Sequence, residues 1–282
     1  MQRRSFGGTG RQVARIGQGS WNIEGDRKAA IAALRLGIER GMTHIDTAEM
    51  YGSGEAERIV AEALDGPARR DACFLVSKVL PQNASRAGTI RACEASLKRL
   101  QTDRLDCYLL HWRGQHPLAE TVAAFETLQR DGKILSWGVS NFDEDDLAEL
   151  LQMAEPGRVA CNQVLYHLQE RAIEHAVIPA CERHGIAVVA YSPFGSGSFP
   201  SAQSQGGRVL AEIAQARGAT PRQVALAFLT RQASVFAIPK AAKAEHAADN
   251  AGAGDLVLSE AEIAQIDAVF PLGKKPRSLP MI

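Results

Sequence analysis

Eight short apolar runs alternate along the chain with segments of helical periodicity, and no other feature narrows the possible folds as much. The runs occupy residues 16–19, 43–45, 74–77, 105–110, 135–139, 159–164, 187–191 and 235–238. They are rich in Val, Ile and Leu, as parallel strands buried on both faces must be. Between them lie helical faces: Ile31, Leu34 and Ile38 in the first, Ile90, Cys93, Leu97 and Leu100 in another, Val122, Phe125 and Leu128 in a third. Helix starts carry local signals. Asp26 is placed to cap the first helix, and Asp143 precedes Glu144, Asp145 and Asp146. Thr220 is a cap followed by Pro221, and Ser259 with Glu262 fits a capping box.

Eight strand–helix units in 282 residues is the count of an α/β protein of the (β/α)8 TIM-barrel type. Pattern alone also allows an open doubly wound sheet. That fold needs a glycine-rich phosphate loop after its first strand, and GQGSWNIEG does not supply GxGxxG. No linker, repeat or low-complexity segment divides the chain, so residues 1–282 read as a single barrel domain. Residues 6–13 predict a short hairpin ahead of the barrel. Residues 192–207, rich in Gly and Ser, read as a mobile loop.

Composition removes several function classes. Lys+Arg and Asp+Glu both total 32, so neither a nucleic-acid footprint nor a polybasic membrane patch is expected. No apolar stretch is long enough to span a bilayer, and MQRRSFGGTGRQ lacks the apolar core of a signal peptide. The five cysteines form no CxxC and read as reduced, mostly buried thiols of a cytoplasmic protein. GxSxG, HExxH and GxxxxGK[ST] are all missing, and no Cys or His cluster has metal-ligand spacing. What remains is acid–base chemistry with a carried-in cofactor and no metal.

Four polar residues stand at the ends of consecutive runs: Asp46 and Tyr51 in THIDTAEMYGSGEAE, Lys78 closing FLVSK, and His111 closing LDCYLLH. Taken singly, each has an ordinary structural explanation. Together, at one end of three strands, they sit where barrel enzymes draw their catalytic residues. An ammonium beside a phenol favours the tyrosinate and lowers its pKa from about 10. Lys78 supplies that charge to Tyr51, Asp46 holds Lys78 in place, and His111 offers a hydrogen bond or a proton relay. Such a group protonates a carbonyl oxygen as hydride reaches the carbon.

The same segments carry a family resemblance over essentially the full length. VARIGQGSW, GMTHIDTAEMYGSGEAE, FLVSKV, GKILSWGVSNF, CNQVLYHL, VVAYSPFGSG and AIPKAAKAEHAADN resemble the corresponding motifs of aldo-keto reductases, and in particular small bacterial enzymes of the methylglyoxal-reductase type. The resemblance implies that Asp46, Tyr51, Lys78 and His111 form a catalytic tetrad. It implies that Ser140, Asn141 and Gln163 hold a nicotinamide carboxamide, that Tyr191 stacks on the ring, and that Ser192, Pro193 and Phe194 lie along the pyrophosphate. Lys240, Ala241, His246, Asp249 and Asn250 match the residues around the adenosine 2′-phosphate and adenine. Trp21 and Trp112 match substrate-pocket aromatics.

The implied activity is reduction of aldehydes and reactive ketones or dicarbonyls by a monomer, with NADPH preferred over NADH. Two other readings share these residues: a cofactor-binding sensor with little turnover, and a lyase using Lys78 as a Schiff base. The chain also departs from the family pattern. Ala241 stands where a hydroxyl residue is frequent, and His246 where Arg is frequent, which weakens the phosphate clamp. Glu55 is displaced by one residue in YGSGE. The tail after Phe270 is short and is expected to leave the pocket wide and lightly covered.

Overall fold

The computed structural model describes residues 1–282, apart from the side chain of Pro67. An antiparallel hairpin, β1 (Arg3–Ser5) and β2 (Gln12–Ala14), precedes eight parallel strands. These are β3 (Gln18–Gly19), β4 (His44–Asp46), β5 (Phe74–Val79), β6 (Cys107–Leu110), β7 (Trp137–Ser140), β8 (Val159–Leu165), β9 (Ala187–Tyr191) and β10 (Val235–Ala237). Each pairs with its sequence neighbour. The ends meet through parallel bridges from Ile16 to Ala237 and from Gly19 to Lys240, closing the sheet into the expected barrel. The hairpin is also as expected, although it starts earlier than the 6–13 segment, its first strand running from Arg3 to Ser5 and pairing with Gln12 to Ala14.

The outer layer consists of α1 (Arg27–Glu39), α2 (Glu55–Ala63), α3 (Pro67–Ala72), α4 (Arg86–Leu100), α5 (Leu118–Arg130), α6 (Glu144–Met153), α7 (Val177–Arg183), α8 (Gln205–Arg217), α9 (Pro221–Leu229), α10 (Ala244–Gly252) and α11 (Glu260–Val269). The four expected caps form. Asp26 accepts from the Ala29 amide, while Asp143, Thr220 and Ser259 each close a capping box. Each satisfies amides that a helix start leaves without partners. Gly37 of α1 is required by close approach: a Cβ there would meet the Gln18 side-chain oxygen at 2.1 Å. That Gln18 amide ties β3 to α1 by donating to the carbonyls of Leu34 and Met42.

Alternation along the strands sorts the residues. Leu75, Tyr108 and Leu110 pack outward against the helices, and Phe74, Val76, Cys107 and Leu109 pack inward. The hairpin places Phe6 in the barrel interior with Phe74 and Phe236. These aromatics surround His44, two residues before Asp46 on β4. His44 is fully buried, and among the described residues neither ring nitrogen has a partner. The five cysteines are buried and unpaired. No described helix is long and apolar enough to cross a membrane.

Burial, and after it the charge of Lys78, pushes the His44 pKa down to about 3 from an ordinary 6.5. The unfolded chain therefore binds a proton below pH 6.5 that the folded barrel refuses, and stability falls as pH drops from 6.5 toward 3. His44→Leu should flatten that slope by up to about 1.4 kcal/mol per pH unit, one proton's worth. Urea midpoints of the two proteins between neutral and mildly acidic pH check this. Parallel pH slopes would mean that His44 does not resist protonation.

Candidate active site

The polar residues converge at the C-terminal mouth of the barrel. Asp46 ends β4, and Lys78 is the penultimate residue of β5, both pointing inward. The register sets Asp46 opposite Val76 and Lys78 opposite Leu109, so the two charges sit at adjacent levels. Both lie within strands, whereas the expected runs stopped one residue short of each. His111 follows β6, its amide donating to the Val79 carbonyl. Tyr51 opens a tight turn after β4 in which Gly52 has φ 53°, a conformation that favours glycine.

Lys78 commits all of its donors. Its Nζ donates to Asp46 Oδ1 at 2.6 Å, to the Thr47 carbonyl at 2.9 Å and to Tyr51 Oη at 3.1 Å. The other Asp46 oxygen accepts from Gln163 Nε2 at 2.8 Å. The ion pair is buried on both sides. The His111 ring meets Tyr51 edge to face at 5.8 Å. Its Nδ1 is buried without a partner among the described residues.

Burial acts against every charge here. It pulls Lys78 down, but Asp46 and Tyr51 together outweigh it and hold the ammonium above its ordinary value. Tyr51 differs from the sequence expectation. Burial raises its pKa more than Lys78 lowers it, so the resting group is a firmly protonated phenol. His111 is driven down to about 2 by burial and by Lys78, which makes it a neutral ring and removes it as a proton relay at ordinary pH. The Tyr51 oxygen accepts from Lys78, which leaves the phenolic hydrogen free to be donated elsewhere.

Asp46, Tyr51 and His111 form the floor of a cleft that is open to solvent, with Lys78 buried beneath them. Trp21, Met50 and Trp112 line it, and Trp21 is 42% exposed, so it belongs to the rim and not to the core. Ser140, Asn141, Gln163 and Tyr191 line it together with Ser192. Asn141 links three strands. At φ 61°, its amide donates to the Gln163 carbonyl, its side chain donates to the His111 carbonyl, and its Oδ1 accepts from the Tyr191 hydroxyl at 2.9 Å. Pro193 is buried and Phe194 half-buried in the following loop.

The remaining expected residues lie away from the floor. Lys240 reaches the cleft, while Ala241 is buried. His246 is exposed with its Nε2 3.8 Å from Glu245, and that carboxylate is also 3.9 Å from Lys243. Glu245 therefore offsets part of the positive charge of this segment. Asp249 Oδ1 accepts from Thr220 and Gln223 at 2.8 and 3.0 Å, and Asn250 is buried.

Sequence reasoning missed some of the site. The tail does not leave the cleft uncovered: Lys275 pairs with Glu144, and Ile282 lines the cleft. No local pattern signals that return. Ser20 lines the cleft with a buried hydroxyl that has no partner among the described residues. Glu49 lies between Asp46 and Tyr51, and its Oε1 accepts from the Leu80 amide at 2.8 Å and from Asn83 Nδ2 at 3.0 Å. It fastens the Tyr51 turn to the segment after Lys78.

Comparison with known proteins gives the family of the chain. The profile of the aldo/keto reductase family matches residues 15–270. The chain belongs to that family of oxidoreductases. It is 47% identical over 270 residues to methylglyoxal reductase YeaE of Escherichia coli (strain K12), covering 95% of this chain and 94% of that one. It is 34% identical over 254 residues to glyoxal reductase of Bacillus subtilis (strain 168), covering 90% and 88%. Its fold superposes with a TM-score of 0.93 on an aldo-keto reductase from Klebsiella pneumoniae crystallised with NADPH, at 46% identity and full coverage of both chains.

Glu49→Ala should lower kcat by about 10- to 100-fold, the cost of a misplaced acid, with little change in KM. Glu49→Gln keeps the acceptor oxygen and should retain most of the rate. Equal losses in both variants would show that the clasp does not set the position of Tyr51.

Proposed function

We propose that this chain is an NADPH-dependent reductase of aldehydes and reactive ketones or dicarbonyls such as methylglyoxal, with Tyr51 as the proton donor. The observation that carries the proposal is the Lys78 ammonium, held 2.6 Å from Asp46 and 3.1 Å from Tyr51 beneath the floor of a cleft that Asp46 and Tyr51 line. A bound NADPH supplies the hydride. Ser140, Asn141 and Gln163 present the polar groups suited to its carboxamide, and Tyr191 offers a flat ring beside them. The unpartnered Ser20 hydroxyl shows that the cleft wall still has hydrogen-bonding capacity to fill.

At the reacting oxygen, the Tyr51 hydroxyl donates its hydrogen. The tyrosinate left behind is stabilised by the ammonium already bonded to it, and that ammonium stays charged because Asp46 is at its back. Neutral His111 orients the same oxygen by hydrogen bonding, with its imidazole as the donor. Trp21, Met50 and Trp112 give an apolar rim that suits small uncharged carbonyls. The buried thiols fit action in the reducing cytoplasm.

Tyr51→Phe should lose turnover by roughly 100-fold or more, the scale of a positioned general acid, while NADPH affinity measured by fluorescence changes little. With His111 titrating at about 2, wild-type kcat should show no break near pH 6.5. Near-normal turnover in Tyr51→Phe would remove the phenol from the mechanism.

Cofactor choice gives a second test. Lys240 reaches the cleft as a point charge suited to phosphate. Ala241 supplies no hydroxyl, and Glu245 lies beside Lys243 and His246, so the preference for NADPH should be moderate. Lys240→Ala should shrink the kcat/KM ratio of NADPH to NADH by roughly 10-fold, the scale of one charged hydrogen bond. A ratio unmoved by the substitution would show that Lys240 does not read the phosphate.

A further inference from the structure

Behind the barrel wall lies a carboxylate that the mechanism above does not use. Glu57, on α2, has no exposed surface and is not among the residues that line the active-site cleft. Its Oε1 accepts from the Ser77 hydroxyl at 2.6 Å, and its Oε2 accepts from Arg99 Nε of α4. Arg99 also donates through a terminal nitrogen to Ser96 Oγ at 3.0 Å. Ser77 precedes Lys78 on β5 and faces the helices where Lys78 faces the barrel interior. The link therefore runs from the back of the Lys78 strand, through α2, to α4. At its far end it meets the Tyr51 turn. A Cβ on Gly54 would lie 2.6 Å from both Cδ and Nε of Arg99, so the arginine stem fills the space against that backbone.

Resting on the reading of Tyr51 as the proton donor, we propose that Glu57 and Arg99 are positioning residues for that donor, tying the back of β5 beside Lys78 to the turn that carries Tyr51. The turn needs outside support. Gly52, Ser53 and Gly54 are all left-handed, with φ of 53°, 53° and 86°. For a serine that conformation is sparsely populated, and it persists only where the surrounding structure fixes it. A buried ion pair adds little stability over an apolar pair of similar size, so stability alone does not account for charge at these two positions. What the pair adds is direction. Charge-assisted hydrogen bonds hold the Arg99 stem in one place, and the turn rests on that stem. Glu49 fastens the same turn to the chain after Lys78, and the Glu57–Arg99 pair fastens it from the helical layer. Neither Glu57 nor Arg99 reaches the cleft, so their effect passes through the Tyr51 hydroxyl. It belongs in the rate of the bound complex and not in binding.

The test uses the full-length protein with methylglyoxal and NADPH. Glu57→Gln combined with Arg99→Met removes both charges together, which avoids stranding either one in the interior. The pair of substitutions should lower kcat by about 10-fold, the scale of a misplaced acid, while KM and NADPH affinity hold. Arg99→Lys alone keeps a cation for Glu57 and should retain most of the rate; a Lys variant as slow as the double variant would overturn the proposal. The discriminating arm places the same double substitution in Tyr51→Phe, where no phenolic proton is left to position. There the single-turnover rate should fall no further. A loss of similar size in both backgrounds would make the pair a general support of the barrel and overturn the proposal, as would an unchanged kcat with Tyr51 present. If the double variant does not fold, Ser77→Ala takes its place, removing one hydroxyl from the link. Its expected loss is about 3-fold, again confined to the protein with Tyr51. No loss, or equal loss in both backgrounds, would overturn the proposal. Near-normal turnover in Tyr51→Phe alone would instead remove the reading of Tyr51 as donor on which it rests.

Discussion

One buried ammonium organises the mouth of this barrel. Lys78 has no exposed side-chain surface, so its charge must be met entirely by protein. Asp46, the Thr47 carbonyl and Tyr51 meet it, and each is brought by the β4 strand end or the turn that follows it. Gln163 then supports Asp46 from the far side of the barrel. Removing any one acceptor would leave a buried donor unsatisfied, which is costlier than the bond itself is worth. The position of Tyr51 is therefore a consequence of solvating Lys78 inside the protein.

The segments around this centre are fastened across the barrel as well as along the chain. Glu49 joins the Tyr51 turn to the chain after β5. Asn141 joins the ends of β6, β8 and β9 through one left-handed residue. Such cross-links let short connections carry a defined geometry without regular structure. They also separate stability from function within the barrel. The lower interior is packed by Phe6, Phe74 and Phe236, while hydrogen-bonded polar residues occupy the mouth. His44 belongs to the lower zone, although it lies only two residues from Asp46.

Legibility in the sequence followed the range of the interactions. The strand–helix alternation and the four caps are local, so their residue types alone predicted them. The four polar residues at strand ends were legible because a shared strand direction sends them to one mouth. Tyr51 was misjudged in one respect: a charge pair is visible in a sequence, but the burial that outweighs it is not. Ile282 and Ser20 were missed for a related reason. Their roles depend on where the tail returns and on which hydroxyl is left without a partner, and neither property is periodic or local.

The charge balance at the floor explains why a neutral histidine belongs beside an ammonium. Asp46 and Lys78 cancel, and burial with Lys78 keeps His111 uncharged, so the resting floor carries no net charge. A second cation there would work against the burial of Tyr51 and favour the tyrosinate, which has no proton to give. With His111 neutral, the resting phenol keeps its proton, as the proposed reaction requires. In that proposed transfer, Lys78 already touches the oxygen that would become anionic, so no group would have to move to meet the new charge. The same burial that makes Tyr51 a weak acid at rest thus keeps it protonated, and on the proposed mechanism the fixed ammonium would offset the cost of giving up that proton.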